Sequence, residues 1–556
     1  MGIVFHFPLL VIFLPIGAAI AMPLVRNVKI ARTITLAVLS VLVCLSMGLT
    51  ITLWSSPVSY FVYQMGYFPA PWGNELRAGM LESMLSVVFA AVMLFSILGT
   101  KFDLERDINK RKLPLYYCMI NLLTCALMAL VFTNDIFNAY VFIEISTIAA
   151  CSIVVAKETG ETLKATVKYL FLSVMGSGLF LLSTAILYSI TGHLLMGNAN
   201  EAITILMETG EYRFPLLMTL LLFIVSIAVK AALFPFHVWL PDAHESATTA
   251  SSAILSGLVL KGYVVLLIKL LYRVYGIDTI EALGVLPVLF FLGITGMMVG
   301  SMMACFQTKL KRLIAYSSVG QIGYIFMGIG LSNQGGFTAA SFHIIGHSFT
   351  KSMLFIAAGA LIGTAGSYDI AKLAGVAREN KLAGAAFAVG ALSMTGLPLF
   401  AGFVSKFHLA RAAVESQHNL WIPLMALAIS AFLSGVYYFP VLIKMYSNEE
   451  NNEDGLARNE QMGSEPVDSR RSGNRWIRNG LTGNGLIGNG SDDKGLIGNR
   501  LIGNGNNGGS RMNRVGICNS NLSARITFIC LMVINIALGL FFIPILAALE
   551  RGFMGL

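Results

Sequence analysis

Long apolar stretches alternate with short polar connections along this chain, and about fourteen of them reach the ~20 residues a helix needs to cross a bilayer. They run near 3 to 25, 31 to 54, 80 to 100, 114 to 133, 135 to 156, 166 to 191, 214 to 240, 247 to 272, 283 to 305, 313 to 331, 336 to 363, 385 to 413, 420 to 446 and 525 to 548. The pattern predicts an all-α integral membrane protein. Two spans are interrupted by proline, the seventh near Pro235 and the twelfth near Pro398. A broken helix at bilayer depth is tolerated only where protein or a water-lined cavity satisfies the freed backbone groups, so both breaks mark candidate sites.

The connections alternate in charge. Those after odd-numbered spans carry Arg26 and Lys29; Lys101, Arg106, Lys110, Arg111 and Lys112; Lys157 and Lys164; Lys309, Lys311 and Arg312; and Lys372, Arg378 and Lys381. The positive-inside rule then puts these loops in the cytoplasm and both termini outside a cell membrane crossed many times. The first stretch lacks a basic leader and a cleavage site, so it reads as a span and not a signal peptide.

Five regions follow: 1–113, the first three spans; 114–415, spans four to twelve; 416–446, the thirteenth span; 447–523, a polar insertion; and 524–556, the last span. Within the first, 55–79 is aromatic, carries FPAPWG and reads as an external turn or short hairpin with Trp72 at headgroup level. The insertion repeats GLTGNG, GLIGNG and RLIGNG, which bury too little surface to offset chain entropy, and is expected to be a disordered cytoplasmic loop.

Composition agrees: of 556 residues, 56% are hydrophobic and 12% charged. The net charge of +9 sits in the loops and does not indicate nucleic acid. Seven cysteines form no CxxC pair, so no iron–sulfur cluster, zinc site or other metal is indicated. No nucleotide-binding glycine motif or nucleophile constellation is present, so the chain is expected to hold no cofactor and no catalytic centre of its own.

The informative residues are the charges inside spans. Glu144 lies near the middle of the fifth span, and Lys230 lies five residues before Pro235. A carboxylate and an ammonium at bilayer depth favour pairing, because each stabilises the other's ionised form where desolvation opposes it. Lys261 has apolar or small residues for about three helical turns on either side, too deep to reach an interface by extending. Lys168, Lys269 and Arg273 lie near span ends and read as interfacial. The polar patch after Pro235 adds His237 and His244 as secondary candidates.

In the eleventh span, SFHIIGHSFTKSMLF places His343, His347 and Lys351 at spacing four and four. They share one helix face with roughly 6 Å of rise between neighbours. A neutral imidazole both donates and accepts a hydrogen bond, so such a column can pass a proton along its length. Two histidines one turn apart also suit zinc, but no third ligand or HExxH glutamate accompanies them. In the twelfth span, Gly396, Pro398 and Gly402 interrupt the helix and Lys406 follows.

These segments resemble the antiporter-like membrane subunits shared by respiratory complex I, Mrp-type cation/proton antiporters and membrane-bound hydrogenases. The matching stretches are the span around Glu144, KAALFPFHVWLPDAH, SGLVLKG, KRLIAYSSVGQIGY, HIIGHSFTKSMLF and GLPLFAGFVSKF, across about 115 to 415. Within that family the chain is most similar to the D-type Mrp subunit, with YQMGYFPAPWGNELR in support. The resemblance implies fourteen helices with two inverted five-helix repeats. It also implies Glu144 and Lys230 as a coupling pair, Lys261 as the central relay and Lys406 on the exit side. The Gly/Asn-rich insertion departs from the family pattern.

The expected function is a proton-translocating subunit of a multi-subunit membrane complex, with H⁺ and Na⁺ as candidate ions, foremost in a cation/proton antiporter. The alternative is the pumping arm of a redox complex, either NADH–quinone oxidoreductase-like or hydrogenase-like. A stand-alone secondary transporter for an organic solute is a third class, since inverted repeats and broken helices occur there too. The expected partners are neighbouring membrane subunits and the lipid bilayer.

Overall fold

The computed structural model describes residues 3–68, 73–416, 421–447 and 522–555. The expectations for Trp72 and for the Gly/Asn-rich insertion fall outside the described residues. Among the described residues, thirteen helices are long and apolar enough to cross a membrane. They match the expected spans except at three places. The seventh span ends as a helix at Lys230 (Arg213–Lys230). The twelfth is two short helices, Lys381–Thr395 and Ala401–Glu415. The last divides into Leu522–Leu540 and an amphipathic helix Phe542–Met554.

Two helices form the centre. Thr249–Tyr275 and Gln334–Ala365 are buried along their entire apolar length, and Leu310–Gly330 nearly so. Around them stand helices such as Gly160–Thr191 and Trp421–Tyr446, whose outward Phe171, Phe432 and Ile443 are exposed. This arrangement suits a bilayer: the outer face meets hydrocarbon, while the inner helices keep polar groups away from it.

The loops after odd-numbered spans gather on one face. Lys157 pairs with Asp107 at 3.1 Å, the Tyr368 ring lies 5.9 Å from both the Lys157 and Lys311 ammonium groups, and the backbones of Lys309 and Asp369 form an antiparallel bridge. On the opposite face, β1 (Tyr60–Gln64) and β2 (Glu75–Gly79) form an antiparallel hairpin, with Tyr60 opposite Gly79. There Arg77 stacks over Tyr60 at 3.7 Å and also donates to the carbonyl of Gly555. Arg551 donates to the carbonyls of Trp54 (3.1 Å) and Ser56, so the C-terminal helix is tied to the first spans and the hairpin.

Lys269 and Arg273 correct the sequence reading: both are buried and neither reaches an interface. Lys269 donates to the carbonyls of Leu130 (3.2 Å), Val131 (3.0 Å) and Thr133, which close the helix Leu113–Phe132. Arg273 forms an ion pair with Glu82, whose other oxygen caps Met80–Gly99 through the backbone N–H of Gly79 at 3.0 Å. The two partners lie 191 residues apart, so no local pattern announced the pair. Lys168 does lie partly exposed, paired with Asp242 at 2.7 Å.

Removing one member of a buried ion pair leaves the other charge unpaired. Arg273→Met is expected to destabilise the protein by about 3–5 kcal/mol, measured by denaturation of the purified protein, with Glu82→Gln/Arg273→Met recovering much of the loss. A double variant as unstable as the sum of the singles would contradict the pairing.

Candidate functional site

At the first break the helix stops because Ala232 adopts a left-handed φ of 54° and Pro235 follows. The carbonyls released there are recaptured. Leu233 N–H reaches Ala228 at 2.9 Å, and the Trp239 indole reaches Val229 at 3.2 Å, its ring stacked on Tyr169. Lys230 is therefore the last helical residue, where the expected span ran on to about residue 240 with its break at Pro235. Its buried ammonium donates to Thr147 Oγ1 at 2.8 Å and lies 5.5 Å from the centroid of the Tyr263 ring.

Glu144 stands one turn before Thr147 on the helix Ile136–Val155 and is half-buried. No hydrogen bond or contact ion pair joins it to Lys230, although its charge acts on that lysine. The direct pair expected from sequence is thus opened by one helical turn, with Thr147 holding the ammonium in between. Tyr263, hydrogen-bonded to Ser146 at 3.0 Å, walls the same site.

Lys261 follows a wide π turn, Leu255–Val259, inside the central helix Thr249–Tyr275. Its ammonium donates back to the carbonyl of Ser256, within that turn. Such turns interrupt the regular ladder, and they recur at functional sites.

The eleventh-span column stands as the spacing predicts. The rings of His343 and His347 stack at 5.5 Å and 15°. His343 Nδ1 is 2.9 Å from Ser405 Oγ, whereas His343 Nε2 and both nitrogens of His347 have no protein partner among the described residues. Lys351, the next member, donates to the carbonyl of Ile314 at 2.9 Å and to Ser317 Oγ.

At the second break Gly396 has φ 90° and Leu399 has φ 79°. Gly402 lets the two half-helices cross, since a Cβ there would lie 1.8 Å from the carbonyl oxygen of Ser393. Lys406, on the second half, caps the first by donating to the carbonyls of Met394 (2.6 Å) and Thr395 (3.3 Å). Tyr324 stands between this lysine and the column, 5.2 Å from the ammonium to its centroid and stacked on His343 at 5.6 Å.

The secondary candidates differ. His244 is wholly buried, stacked on Phe355 at 4.5 Å, and neither ring nitrogen has a partner among the described residues. His237 packs between Phe234 and Tyr316 beside the first break. The short helix Leu240–Ser246 that carries His244 is anchored by acids. Glu245 meets Lys309 and Arg312 (2.9 Å), and Asp242 meets Arg312 at 3.1 Å. Burial works against ionised Glu245, yet hydrogen bonds from Lys309 and Arg312 hold its carboxyl below the usual range.

The site residues therefore form two groups. Glu144 and Lys230 make one, and Lys261, His347, His343, Lys351 and Lys406 make the other, each histidine lying in the field of Lys261 and Lys351. Sequence reasoning missed Thr147, Tyr263, Ser317, Tyr324 and Ser405, because a hydroxyl in an apolar span carries no signal until its neighbour is known.

Residues 133–434 match a family described as NADH:quinone oxidoreductase/Mrp antiporter, transmembrane. The chain is 32% identical over 450 residues to the N subunit of the NADH-quinone oxidoreductase of Desulforudis audaxviator, covering 79% of this chain and 86% of that one. It is 30% identical over 371 residues to the D subunit of the Na(+)/H(+) antiporter of Alkalihalophilus pseudofirmus, covering 66% and 72%. Its fold is similar to a chain of an archaeal membrane-bound sulfane sulfur reductase (TM-score 0.78, 23% identity, 98% and 97% covered). It is equally similar to a chain of the Mrp complex from Dietzia sp. DQ12-45-1b (TM-score 0.78, 20% identity, 100% and 98% covered).

A side chain at Gly396 meets both a left-handed backbone and Lys406, whose Cδ would lie 3.0 Å from the added Cβ. Gly396→Ala is expected to cost about 1–2 kcal/mol, read as earlier thermal unfolding of the solubilised protein. Unchanged unfolding would show that the break does not need this conformation.

Proposed function

Because the chain belongs to the NADH:quinone oxidoreductase/Mrp antiporter transmembrane family, we propose that it is a proton-translocating subunit of a multi-subunit cation/proton antiporter complex. The observation that carries this reading is the row of buried titratable groups from Lys261 through His347 and His343 to Lys406, on three adjacent elements. Two inverted five-helix repeats, each with one broken helix, are part of the same reading. So are a cell-membrane location, the odd-span loops on the cytoplasmic side and both termini outside.

Protons move in this scheme by exchange between neighbours. Like charges a helix spacing apart repel strongly in a poorly screened interior, so protonating one member raises the energy of protonating the next. Glu144 acts at Lys230 through its charge, on the side of the ammonium form. When its field weakens, for instance because a neighbouring subunit shifts, the Lys230 proton becomes easier to lose. Thr147 and Tyr263 keep the ammonium placed, and the nitrogens of His347, without a partner among the described residues, leave both ring positions open to a donor or acceptor.

A second reading makes the chain the pumping arm of a redox-driven complex. It is supported by the NADH-quinone oxidoreductase relative, of which the chain covers 86%, with redox centres then carried by other subunits. Proton movement in everted vesicles holding the whole complex separates the two. Na⁺-dependent proton movement without an electron donor, abolished in Lys261→Ala and Glu144→Ala, is the expected result. Acidification only with a donor would favour the redox reading, and transport surviving Lys261→Ala would sink the relay itself.

A further inference from the structure

The row of the eleventh span does not end at Lys351. The next residue at the same spacing is Phe355, and the imidazole of His244 lies flat against it at 4.5 Å and 18°. Three residues beyond His244, the carbonyl of Ala247 accepts the buried ammonium of Lys311 at 2.9 Å. Lys311 stands one turn before Ile314, whose carbonyl holds Lys351. His244, Lys311 and Lys351 thus enclose one small region from three different elements, with both nitrogens of His244 buried and unpartnered among the described residues.

Beyond Lys311 lies a set of acids at the face where the odd-span loops gather. Asp103 pairs with Arg106 at 3.2 Å, Arg106 with Asp107 at 3.0 Å, and Asp107 with Lys157 at 3.1 Å. All four act on Lys311. Asp103 also lies in reach of Thr249, the first residue of the helix that bears Lys261. Burial pushes its carboxyl above the usual range, against the pull of Arg106, so it takes up a proton more readily than an exposed aspartate. The charges acting on His244 are Lys351, Lys311 and Lys261, carried on three different helices.

We propose that Lys311 and His244 form a proton inlet that loads the Lys261–Lys351 group from the Asp103–Asp107 cluster without passing through Lys230. It rests on the relay proposed above and adds a second point of loading to it. The Lys311 ammonium gives a proton to His244 at one ring nitrogen and is reprotonated by Asp103 or Asp107, while His244 gives up the proton on its other nitrogen toward Lys351 or Lys261.

The test uses the assembled complex in vesicles. Lys311→Arg retains a donor for the Ala247 carbonyl and a positive charge but does not release its proton, so a merely structural lysine tolerates it. Lys311→Arg and His244→Phe are each expected to slow transport about tenfold, equal to about 1.4 kcal/mol of added barrier. Lys311→His is expected to recover part of the rate, with its dependence on pH at the cluster's side displaced. Native rates in Lys311→Arg would overturn the inlet, as would native rates in His244→Phe should the arginine variant fail to assemble. If Lys261→Ala abolishes transport while Lys311→Arg does not, the relay stands and only the inlet falls; if Lys261→Ala is active, the relay itself is wrong.

Discussion

The constraint behind this structure is that an ammonium group buried at bilayer depth must be surrounded by oxygen, and here the oxygen is mostly backbone carbonyl. Lys261, Lys269, Lys311, Lys351 and Lys406 all donate to carbonyls, while Lys230 donates to a threonine hydroxyl. A regular helix has few carbonyls to spare, because each accepts from the residue four positions on. For four of the five the chain supplies them where the ladder is interrupted: the end of Leu113–Phe132 for Lys269, the π turn for Lys261, the gap before Thr249 for Lys311, and the second break for Lys406; Lys351 shares the carbonyl of Ile314 within a regular helix and adds the hydroxyl of Ser317. The breaks and the lysines are two sides of one solution.

Carbonyl dipoles differ from carboxylates in a way that matters for transport. A carboxylate in contact would hold each lysine charged, since a buried pair is costly to separate. Dipoles stabilise the ammonium more weakly and also leave a neutral amine with acceptable neighbours. Among the fully buried basic residues of the described spans, the contact pair is Arg273 with Glu82, which involves a guanidinium that does not titrate and secures helix ends. Glu144 makes no contact pair with Lys230 and acts there through its field without a bond.

Much of this was legible in the sequence, and what was not had definite causes. Spanning helices follow from apolar length, both breaks from Pro235 and Pro398, and the His343–His347–Lys351 column from spacing alone. The ends of the broken segments were misplaced, because the stop at Lys230 depends on the left-handed Ala232, a residue with no turn signature. Long-range partners were invisible: Glu82 for Arg273, Ser405 for His343 and Ala247 for Lys311 lie 62 or more residues away in sequence. The π turn before Lys261 was equally hidden, since Leu-Ser-Gly-Leu-Val reads as ordinary helix.

The most direct test of a relay through this interior is to locate ordered water in the assembled complex by electron cryo-microscopy at a resolution that reveals it. Buried imidazole nitrogens in folded proteins are almost always hydrogen-bonded, and those of His347 and Nε2 of His343 have no protein partner among the described residues. The account predicts water bonded to these nitrogens, linking Lys261 to His347 and His343 to Lys406. A dry gap between Lys261 and His347, with the nitrogens against apolar atoms in every state of the complex, would contradict it.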